Sequence, residues 1–180
     1  MRERYLSMKF NDLFKFCPVC GAREEFKLNN VKSMRCGRCN FVMYINPSAA
    51  VAAFVVNKKG ELLICERANE PAKGTWDLPG GFVDDDETAE QAIQRELFEE
   101  LGIKVAGGEY LFSVPNEYLY SGWTLPTLDL FYLFKIDDAV RPVAADDVKV
   151  FYFVAPENIK IERFGLRSMQ IAMDLFLSNL

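Results

Sequence analysis

A nearly continuous apolar segment spans residues 49–56, without alternation between apolar and polar side chains. It ends at the polar sequence Asn-Lys-Lys-Gly over residues 57–60, and the apolar pattern resumes in Glu61-Leu-Leu-Ile-Cys65. A strand that is apolar on both faces belongs to a sheet that is covered on both sides. The polar sequence, with Gly60 able to take a positive φ, predicts a hairpin between the two strands.

The residues from Thr88 to Gly102 have the pattern of a capped amphipathic helix. Gln91 follows Thr88 at the spacing of a capping box, and no Gly or Pro interrupts the stretch before Gly102. Gly102 stands where such a helix is expected to end. The apolar stripe that would pack on a sheet consists of Ile93, Leu97 and Leu101.

The second half of the chain contains further strand patterns and a terminal helix pattern. Aromatic-rich segments predict strands over 110–114 and 128–136, separated by a loop that carries Pro115, Gly122 and Pro126. Another strand is predicted over 148–154, and apolar residues recur at helical spacing over 166–180. These elements predict the α/β class, with a mixed sheet flanked by two helices and a small cysteine module in front.

Length and composition limit the size of the hydrophobic core and the kinds of partner that the protein is expected to bind. The chain has 180 residues, half of them hydrophobic, and this suffices for one main core and a satellite module. Asn46-Pro47 has the character of a hinge, which predicts domains over 1–46 and 47–180. The net charge of -5 provides no broad basic field for nucleic acid or an anionic membrane. No secretory or membrane-spanning pattern is present, so a cytoplasmic location is expected.

Four of the five cysteines form two Cys-x-x-Cys pairs, Cys17 with Cys20 and Cys36 with Cys39, with fifteen residues between the pairs. In a reducing compartment this spacing predicts a structural zinc site whose four thiolates leave no position open for catalysis. Cys65 lies in an apolar strand and is interpreted as a core residue, because the chain has no histidine to activate it. Nucleic-acid binding is not expected from the module, whose basic residues are scattered: Arg23, Lys27, Lys32, Arg35 and Arg38.

Three glutamates of the predicted helix share one face, because Glu96, Glu99 and Glu100 are related by i, i+3 and i, i+4 spacing. Like charges this close repel one another, so the face needs a compensating charge. Magnesium takes oxygen ligands from carboxylates, water and phosphates, and it would supply that charge. Arg95, four residues before Glu99, is placed to pair with it and to fix its orientation. An ordinary solvated acidic face is the alternative interpretation.

The surrounding residues resolve this choice through a resemblance. From Gly81 the chain runs through five residues to Glu87 and then through seven to Arg95-Glu-Leu-Phe-Glu-Glu-Leu-Gly-Ile103. This resembles the Nudix box, G-x5-E-x7-R-E-U-x-E-E-x-G-U with U apolar, at every specified position. The preceding Trp76-Asp-Leu-Pro-Gly-Gly-Phe-Val also looks like the approach to a Nudix catalytic loop, and the similarity in organisation runs from about Ser48 to the end.

The resemblance implies the Nudix α/β/α sandwich, with the loop from Gly80 and the following helix as the catalytic platform. It implies that Glu96, Glu99 and Glu100 bind Mg²⁺ or Mn²⁺. It also implies that Glu87 is an auxiliary acidic ligand and that Arg95 orients the glutamates. The carbonyl of Gly80 or Gly81 is the implied backbone ligand.

Hydrolysis in this family requires a carboxylate that accepts a proton from the attacking water. A glutamate of the box is the first choice, with Glu99 preferred over Glu96. The alternative is an acidic residue on the loop before the last strand, where the chain has Asp146 and Asp147. Both aspartates are equally consistent with solvated turn residues.

A zinc ribbon in front of a Nudix domain resembles the NADH pyrophosphatase architecture, for which a small nucleotide substrate and a homodimer are implied. That group carries an S-Q-P-W-P-F-P-x-S motif, where this chain has Ser113-Val-Pro-Asn-Glu-Tyr-Leu-Tyr-Ser-Gly-Trp-Thr, so dinucleotide specificity does not follow. Two rival functions are a nucleotide sensor without hydrolysis and a zinc-ribbon nucleic-acid adaptor. The aromatic residues that are candidates for stacking on a base, or for simple packing, are Phe112, Tyr118, Tyr120 and Trp123.

Overall fold

The computed structural model describes residues 13–137, 140, 142–145 and 148–180. The strands are β1 (Phe26–Asn30), β2 (Ser33–Cys36), β3 (Val42–Tyr44), β4 (Ser48–Val56), β5 (Leu62–Arg67), β6 (Trp76–Asp77), β7 (Gly80–Phe82), β8 (Glu109–Tyr120), β9 (Trp123–Lys135) and β10 (Val148–Val154). The helices are α1 (Ala89–Leu101) and α2 (Arg167–Leu177), with short 3-10 helices at Pro156–Asn158 and Ile161–Arg163. Among the described helices, none has the length and apolar character needed to span a bilayer.

The described residues divide into two compact units. The first contains the described chain up to Pro47 together with the hairpin tip Leu119–Pro126, and the second contains Ser48–Tyr118 and the described part of Thr127–Leu180. Asp146 and Asp147 lie outside the described residues.

The first unit is built on a three-stranded antiparallel sheet in the order β1-β2-β3. One face of this sheet carries the small core, in which Phe26, Met34 and Cys36 are buried. A core of this size gives limited hydrophobic stabilisation, which is why modules of this kind depend on a metal or on disulfides.

The second unit is built on a seven-stranded mixed sheet in the order β10-β5-β4-β9-β8. β4 lies at its centre and pairs in parallel with β9, while β5 pairs antiparallel with β10. β4 and β5 are paired at one register position, Val56 with Leu62. Beyond that position the two strands diverge, and their free edges pair with the short strands β7 and β6. The divergence opens a gap in the sheet next to β7.

Both faces of the large sheet are covered, as the apolar 49–56 segment predicts. Val51 and Val55 of β4 point to one face and are packed with Ile93, Leu97 and Leu101 of α1. All five side chains are buried.

The opposite face of β4 is covered by α2. Ala52 and Phe54 are packed with Met173 and Phe176, and the Phe54 and Phe176 rings stack at a centroid distance of 4.1 Å. The second unit is therefore an α/β/α sandwich, and the predicted fold class is confirmed.

The predicted ends of α1 are also confirmed. The Thr88 side chain accepts a hydrogen bond from the Gln91 backbone N–H, and the Gln91 side chain accepts one from the Thr88 backbone N–H. Gly102 ends the helix with φ 65° and donates to Phe98 O at 2.8 Å. Gly60 has φ 79° in the hairpin between β4 and β5, as its position in the turn predicts.

The loop predicted around Pro115, Gly122 and Pro126 is wrong in extent. β8 and β9 continue through both prolines and are joined by a tight turn at Ser121 and Gly122. Proline is tolerated in a strand where its missing N–H faces no partner. β8 is an edge strand, and the pairing of β9 with β4 begins at Thr127, just after Pro126.

Candidate active site and cysteine centre

The strand β7 places two glycines in the gap between β4 and β5. Gly80 and Gly81 pair with Ala52 and Val51 of β4. Gly80 has φ 150°, and a Cβ built on it would collide with the Val51 carbonyl oxygen. Glycine is required here because the backbone has a conformation that other residues rarely adopt and because the neighbouring strand leaves no space.

The three box glutamates occupy three different environments. The Glu99 side chain is 46% exposed and the Glu96 side chain 14% exposed, while Glu100 is buried at 6%. Glu100 Oε2 accepts a hydrogen bond of 2.9 Å from the Gly80 N–H. The helix thus presents Glu99 to solvent, and Glu100 holds the loop that begins at Gly80.

Arg95 is fully used as a hydrogen-bond donor. Its Nε and Nη2 donate to the two oxygens of Glu87 at 3.1 and 2.6 Å, and Nη2 also donates to Phe82 O at 3.0 Å. Its Nη1 donates to Glu96 at 2.8 Å and to Glu99 at 3.0 Å. A guanidinium has five N–H groups, and all five have an acceptor. The pairing of Arg95 with Glu99 that the sequence predicts is present, and two further carboxylates share the same cation.

Gly81 makes room for Glu96. A Cβ built on Gly81 would fall on the Glu96 carboxylate. Burial raises the pKa of Glu96, although the hydrogen bond from Arg95 opposes this effect. The hydrogen bond from Arg95 lowers the pKa of Glu87. One arginine thus offsets part of the charge of three carboxylates, and the site retains a need for further positive charge.

The described residues contain one compact group of three or more possible metal ligands, with all donor atoms within 4.8 Å of one another, and it is the cysteine quartet. The carboxylates of Glu96, Glu99 and Glu100 are not gathered to that degree. Arg95 bonds the first two, and the Gly80 N–H bonds the third.

The cysteine quartet has the dimensions of a tetrahedral thiolate site. The Sγ atoms of Cys17 and Cys39 are 3.6 Å apart, as are those of Cys20 and Cys36. Zinc–sulfur bonds of about 2.3 Å in a tetrahedron place the sulfurs roughly 3.8 Å apart. Cys17 and Cys36 are buried, and all four thiols are free of disulfide bonds. The residues present therefore fit a structural zinc ion.

Each Cys-x-x-Cys pair forms a turn of the same kind. The Cys17 carbonyl accepts from the Gly21 N–H and the Cys36 carbonyl from the Asn40 N–H, both at 2.9 Å. Gly21 and Asn40 have φ values of 70° and 62°. Asparagine is the residue that best replaces glycine in this conformation. Gly37 has a different role, because a Cβ on it would lie 3.0 Å from the Glu25 carboxylate.

Cys65 is a core residue, as predicted. It is 2% exposed and belongs to the core beneath α1. Burial raises the pKa of its thiol well above the usual value, and the charges of Glu100 and Asp77 act in the same direction. A protonated, inaccessible thiol has no role as a nucleophile.

Sequence reasoning missed a polar network beside the Gly80–Phe82 segment. Arg67 donates to the buried Asp77, to Pro71 O at 2.7 Å and to the Tyr118 hydroxyl at 3.3 Å. Burial raises the pKa of Asp77, against the opposing effect of Arg67. The Tyr118 ring meets the Phe82 ring edge-on, with centroids 5.6 Å apart. Isolated charges at the ends of β5 and β6 gave no sequence signal for this network.

The four aromatic residues that are candidates for base stacking lie in three different parts of the structure. Phe112 packs against Phe54 and Phe131 in the core beneath α2. Tyr118 contacts Phe82 at the end of β7. Tyr120 and Trp123 lie on the hairpin tip of the first unit, where Tyr120 is 59% exposed.

Curated relatives of the chain include nucleotide hydrolases. An NAD-capped RNA hydrolase NudC from Vibrio parahaemolyticus is 34% identical over 115 residues, which are 63% of this chain and 40% of that protein. An ADP-ribose pyrophosphatase from Methanocaldococcus jannaschii is 43% identical over 61 residues, covering 34% of this chain and 36% of the relative. The chain thus spans about two fifths or less of the length of these relatives.

Solved structures share the fold. A NUDIX hydrolase from Nitrosomonas europaea superposes with a TM-score of 0.69 at 21% identity, over 92% of this chain and 91% of that one. A bifunctional NMN adenylyltransferase/ADP ribose pyrophosphatase from Francisella tularensis gives 0.58 at 30% identity, over 74% of this chain and 42% of that one. The model of the NUDIX domain matches residues 46–172, which is more than half of the chain, and the chain therefore belongs to the Nudix family.

Proposed function

We propose that this protein is a hydrolase, dependent on Mg²⁺ or Mn²⁺, that cleaves the diphosphate bond of a nucleoside diphosphate linked to a second moiety. The observation that carries the proposal is the arrangement around Arg95, which holds Glu96 and Glu99 beside the glycine loop. Three carboxylates share one arginine, so the site is suited to divalent cations and to a phosphate substrate that they bring in.

We assign Glu96, Glu99 and Glu100 as the carboxylate ligands, with Glu87 as an auxiliary acid and the Gly80 carbonyl as a backbone ligand. Glu96 and Glu99 each bond Arg95 through one carboxylate oxygen, and Glu100 bonds the Gly80 N–H through Oε2. Divalent metal, when bound, supplies positive charge to the phosphate oxygens and makes water a stronger acid.

The proton of the attacking water goes to a carboxylate, and we assign this role to Glu99. Its side chain is 46% exposed, while Glu96 and Glu100 are largely enclosed. Arg95 fixes one Glu99 oxygen and leaves the other available to water. Asp146 or Asp147 is the alternative acceptor, which a parallel Asn substitution tests.

The substrate class follows from the chemistry that the relatives' names share. NAD-capped RNA and ADP-ribose both contain a diphosphate between two nucleoside or sugar moieties, and bond cleavage there requires the same two phosphates to be held. We therefore propose ADP-ribose, NADH-type dinucleotides and a 5′-NAD-capped RNA as candidate substrates.

The test is hydrolysis of this panel by the purified, zinc-loaded full chain with Mg²⁺ or Mn²⁺. Wild type should release nucleoside monophosphate, and Glu99→Gln should lose at least about a hundredfold in kcat. Glu157→Gln, which makes the same chemical change at an exposed position, should keep full activity. Tight binding of a panel member without turnover at any metal concentration would favour the nucleotide sensor and remove the hydrolase assignment.

We also propose that the cysteine quartet holds one structural Zn²⁺ per chain and that the protein forms a homodimer. Zinc is supported by the Sγ spacing and by the small core of the first unit. The site needs reduced thiols, which agrees with the expected cytoplasmic location. Elemental analysis and light scattering of the eluting protein test the two statements separately.

A further inference from the structure

Charge is divided unequally along the chain. Residues 1–47 contain nine Lys and Arg against four Asp and Glu, whereas residues 48–180 contain twelve against 22. The overall net charge of -5 is therefore the sum of a basic segment of +5 and an acidic remainder of -10. Four thiolates around Zn²⁺ would add -2 to the first segment, which still leaves it basic. The whole-chain charge hides this basic segment.

Two of these basic residues are neighbours on adjacent strands of the small sheet. Lys27 of β1 and Arg35 of β2 are direct partners in the antiparallel register, so their side chains leave the sheet on the same face. Both residues are exposed. Like charges directly opposite each other destabilise a sheet unless an anion lies between or above them.

Among the described residues of the module, neither Glu24 nor Glu25 forms a salt bridge with Lys27 or Arg35. Arg35 donates to the neutral Asn40 side chain at 3.0 Å, and Lys27 makes no salt bridge within the described chain. Glu24 lies beside Arg23 at 3.5 Å, and the Glu25 carboxylate borders Gly37. Within the described part of the chain, no carboxylate therefore forms a salt bridge with the Lys27–Arg35 pair.

The same face carries an exposed aromatic ring. Arg35 pairs with Val42 of β3, and Tyr44 lies two residues further along β3, so its side chain leaves the same face. Tyr44 is 56% exposed. Cations beside an open aromatic ring on a flat sheet are the elements by which proteins bind single-stranded nucleic acid, with phosphates on the cations and a base stacked on the ring.

We propose that the face of the small sheet formed by Lys27, Arg35, Val42 and Tyr44 binds the single-stranded RNA body of the substrate. This inference rests on the proposed function, because the RNA is part of a substrate only if an RNA-linked nucleotide is hydrolysed. It revises the expectation that the cysteine module does not bind nucleic acid. That expectation was based on basic residues that are scattered in sequence, whereas the β1–β2 register brings two of them together.

The binding test uses a 3′-fluorescein-labelled single-stranded RNA of about 20 nucleotides with a 5′-hydroxyl, which contains no diphosphate to hydrolyse. Fluorescence anisotropy is measured against salt concentration with the zinc-loaded full chain. Each phosphate contact contributes a slope of about -0.7 in log K against log salt for single strands, so Lys27→Gln/Arg35→Gln should reduce the slope by about 1.4. At about 0.1 M salt this corresponds to a loss of roughly 25-fold in affinity.

A matched pair of variants separates this surface from general charge effects. Lys59→Gln/Lys160→Gln removes two exposed cations of the second unit and should leave the slope unchanged. Tyr44→Ala should weaken RNA binding by about fivefold or more, and Tyr44→Phe should retain it, because both Tyr and Phe stack on bases. Equal losses in both double variants, or an unchanged slope in Lys27→Gln/Arg35→Gln, would overturn the proposal. The proposal would also be overturned if the wild type bound anionic phospholipid vesicles and this binding depended on Lys27 and Arg35 to the same degree.

Hydrolysis distinguishes failure of this inference from failure of the proposed function. With Lys27→Gln/Arg35→Gln, kcat/KM for ADP-ribose should equal that of wild type, while KM for 5′-NAD-capped RNA should rise. Active wild type with no RNA binding would remove the RNA surface alone. RNA binding without hydrolysis of any substrate would remove the catalytic assignment and leave the RNA surface.

Discussion

The Arg95 guanidinium donates two parallel hydrogen bonds to the Glu87 carboxylate, from Nε at 3.1 Å and from Nη2 at 2.6 Å. This bidentate pair fixes the plane of the guanidinium, and Nη1 is thereby directed at Glu96 and Glu99. Glu87 thus orients the Arg95 guanidinium, and the guanidinium in turn orients the proposed ligands Glu96 and Glu99.

Arg95→Lys should reduce both the apparent affinity for Mg²⁺ and kcat, although the charge is retained. A lysine has three donors on one atom and cannot bond Glu87 at two points while it reaches the other two carboxylates. Loss of such an orienting partner typically costs about 10- to 100-fold in metal affinity or activity. Titration of activity against Mg²⁺ checks this, with the exposed Arg167→Lys as control. Wild-type metal dependence in Arg95→Lys would contradict the positioning role.

Glu99 and Glu100 should respond differently to substitution, because Glu99 is half exposed and Glu100 is buried against the Gly80 N–H. Glu99→Ala should abolish turnover and leave the free energy of unfolding almost unchanged. Glu100→Ala should abolish turnover and also lower the free energy of unfolding by about 1–3 kcal/mol, since the partly buried Gly80 N–H loses its acceptor. Urea denaturation of the metal-free proteins measures both. Equal stability of the two variants would show that Glu100 does not hold the loop.

The core elements could be predicted from the sequence because several local signals agreed. The 49–56 segment is apolar on both faces, and the Thr88–Gln91 box and Gly102 define both ends of α1. Such agreement was lacking around β8 and β9, where Pro115, Gly122 and Pro126 together have the composition of a loop. Whether a proline ends a strand depends on which edge of the strand is paired, and that is a property of the sheet and not of the segment.

The grouping of the candidate glutamates on one helix face was predictable from the sequence, whereas the environment of each one was not. The helical spacing places Glu96, Glu99 and Glu100 near one another, but it does not show that Glu100 is buried while Glu99 is half exposed. That difference arises because β7 inserts between the diverging β4 and β5 and meets the helix at Gly80 and Gly81. The side-chain partners of Arg67 also depend on the tertiary fold, since Asp77 and Tyr118 come from β6 and β8.

Cys65→Ala should flatten the loss of stability at alkaline pH. Burial raises the pKa of the Cys65 thiol, so the folded protein retains a proton that the unfolded chain releases. The resulting contribution is complete below the unfolded-state pKa of about 8.5 and is lost as the pH rises toward the folded-state pKa, by at most about 1.4 kcal/mol per pH unit. Urea midpoints at pH 8 and 10 measure the effect. Parallel pH dependence in the wild type and Cys65→Ala would show that the thiol is not shielded.

Cys36→Ser should lose zinc and unfold the first unit without unfolding the second. Cys36 is fully buried in the small core, and the site needs all four thiolates to close. Both cores of the second unit draw on residues from its own part of the chain, so α1 and α2 do not depend on the metal. Zinc content by elemental analysis should fall from one equivalent to none, while far-UV circular dichroism keeps its helical signal. Cys65→Ala should retain its zinc, which assigns the loss to the quartet and not to cysteine content. Global unfolding of Cys36→Ser would instead show that the metal stabilises the whole chain.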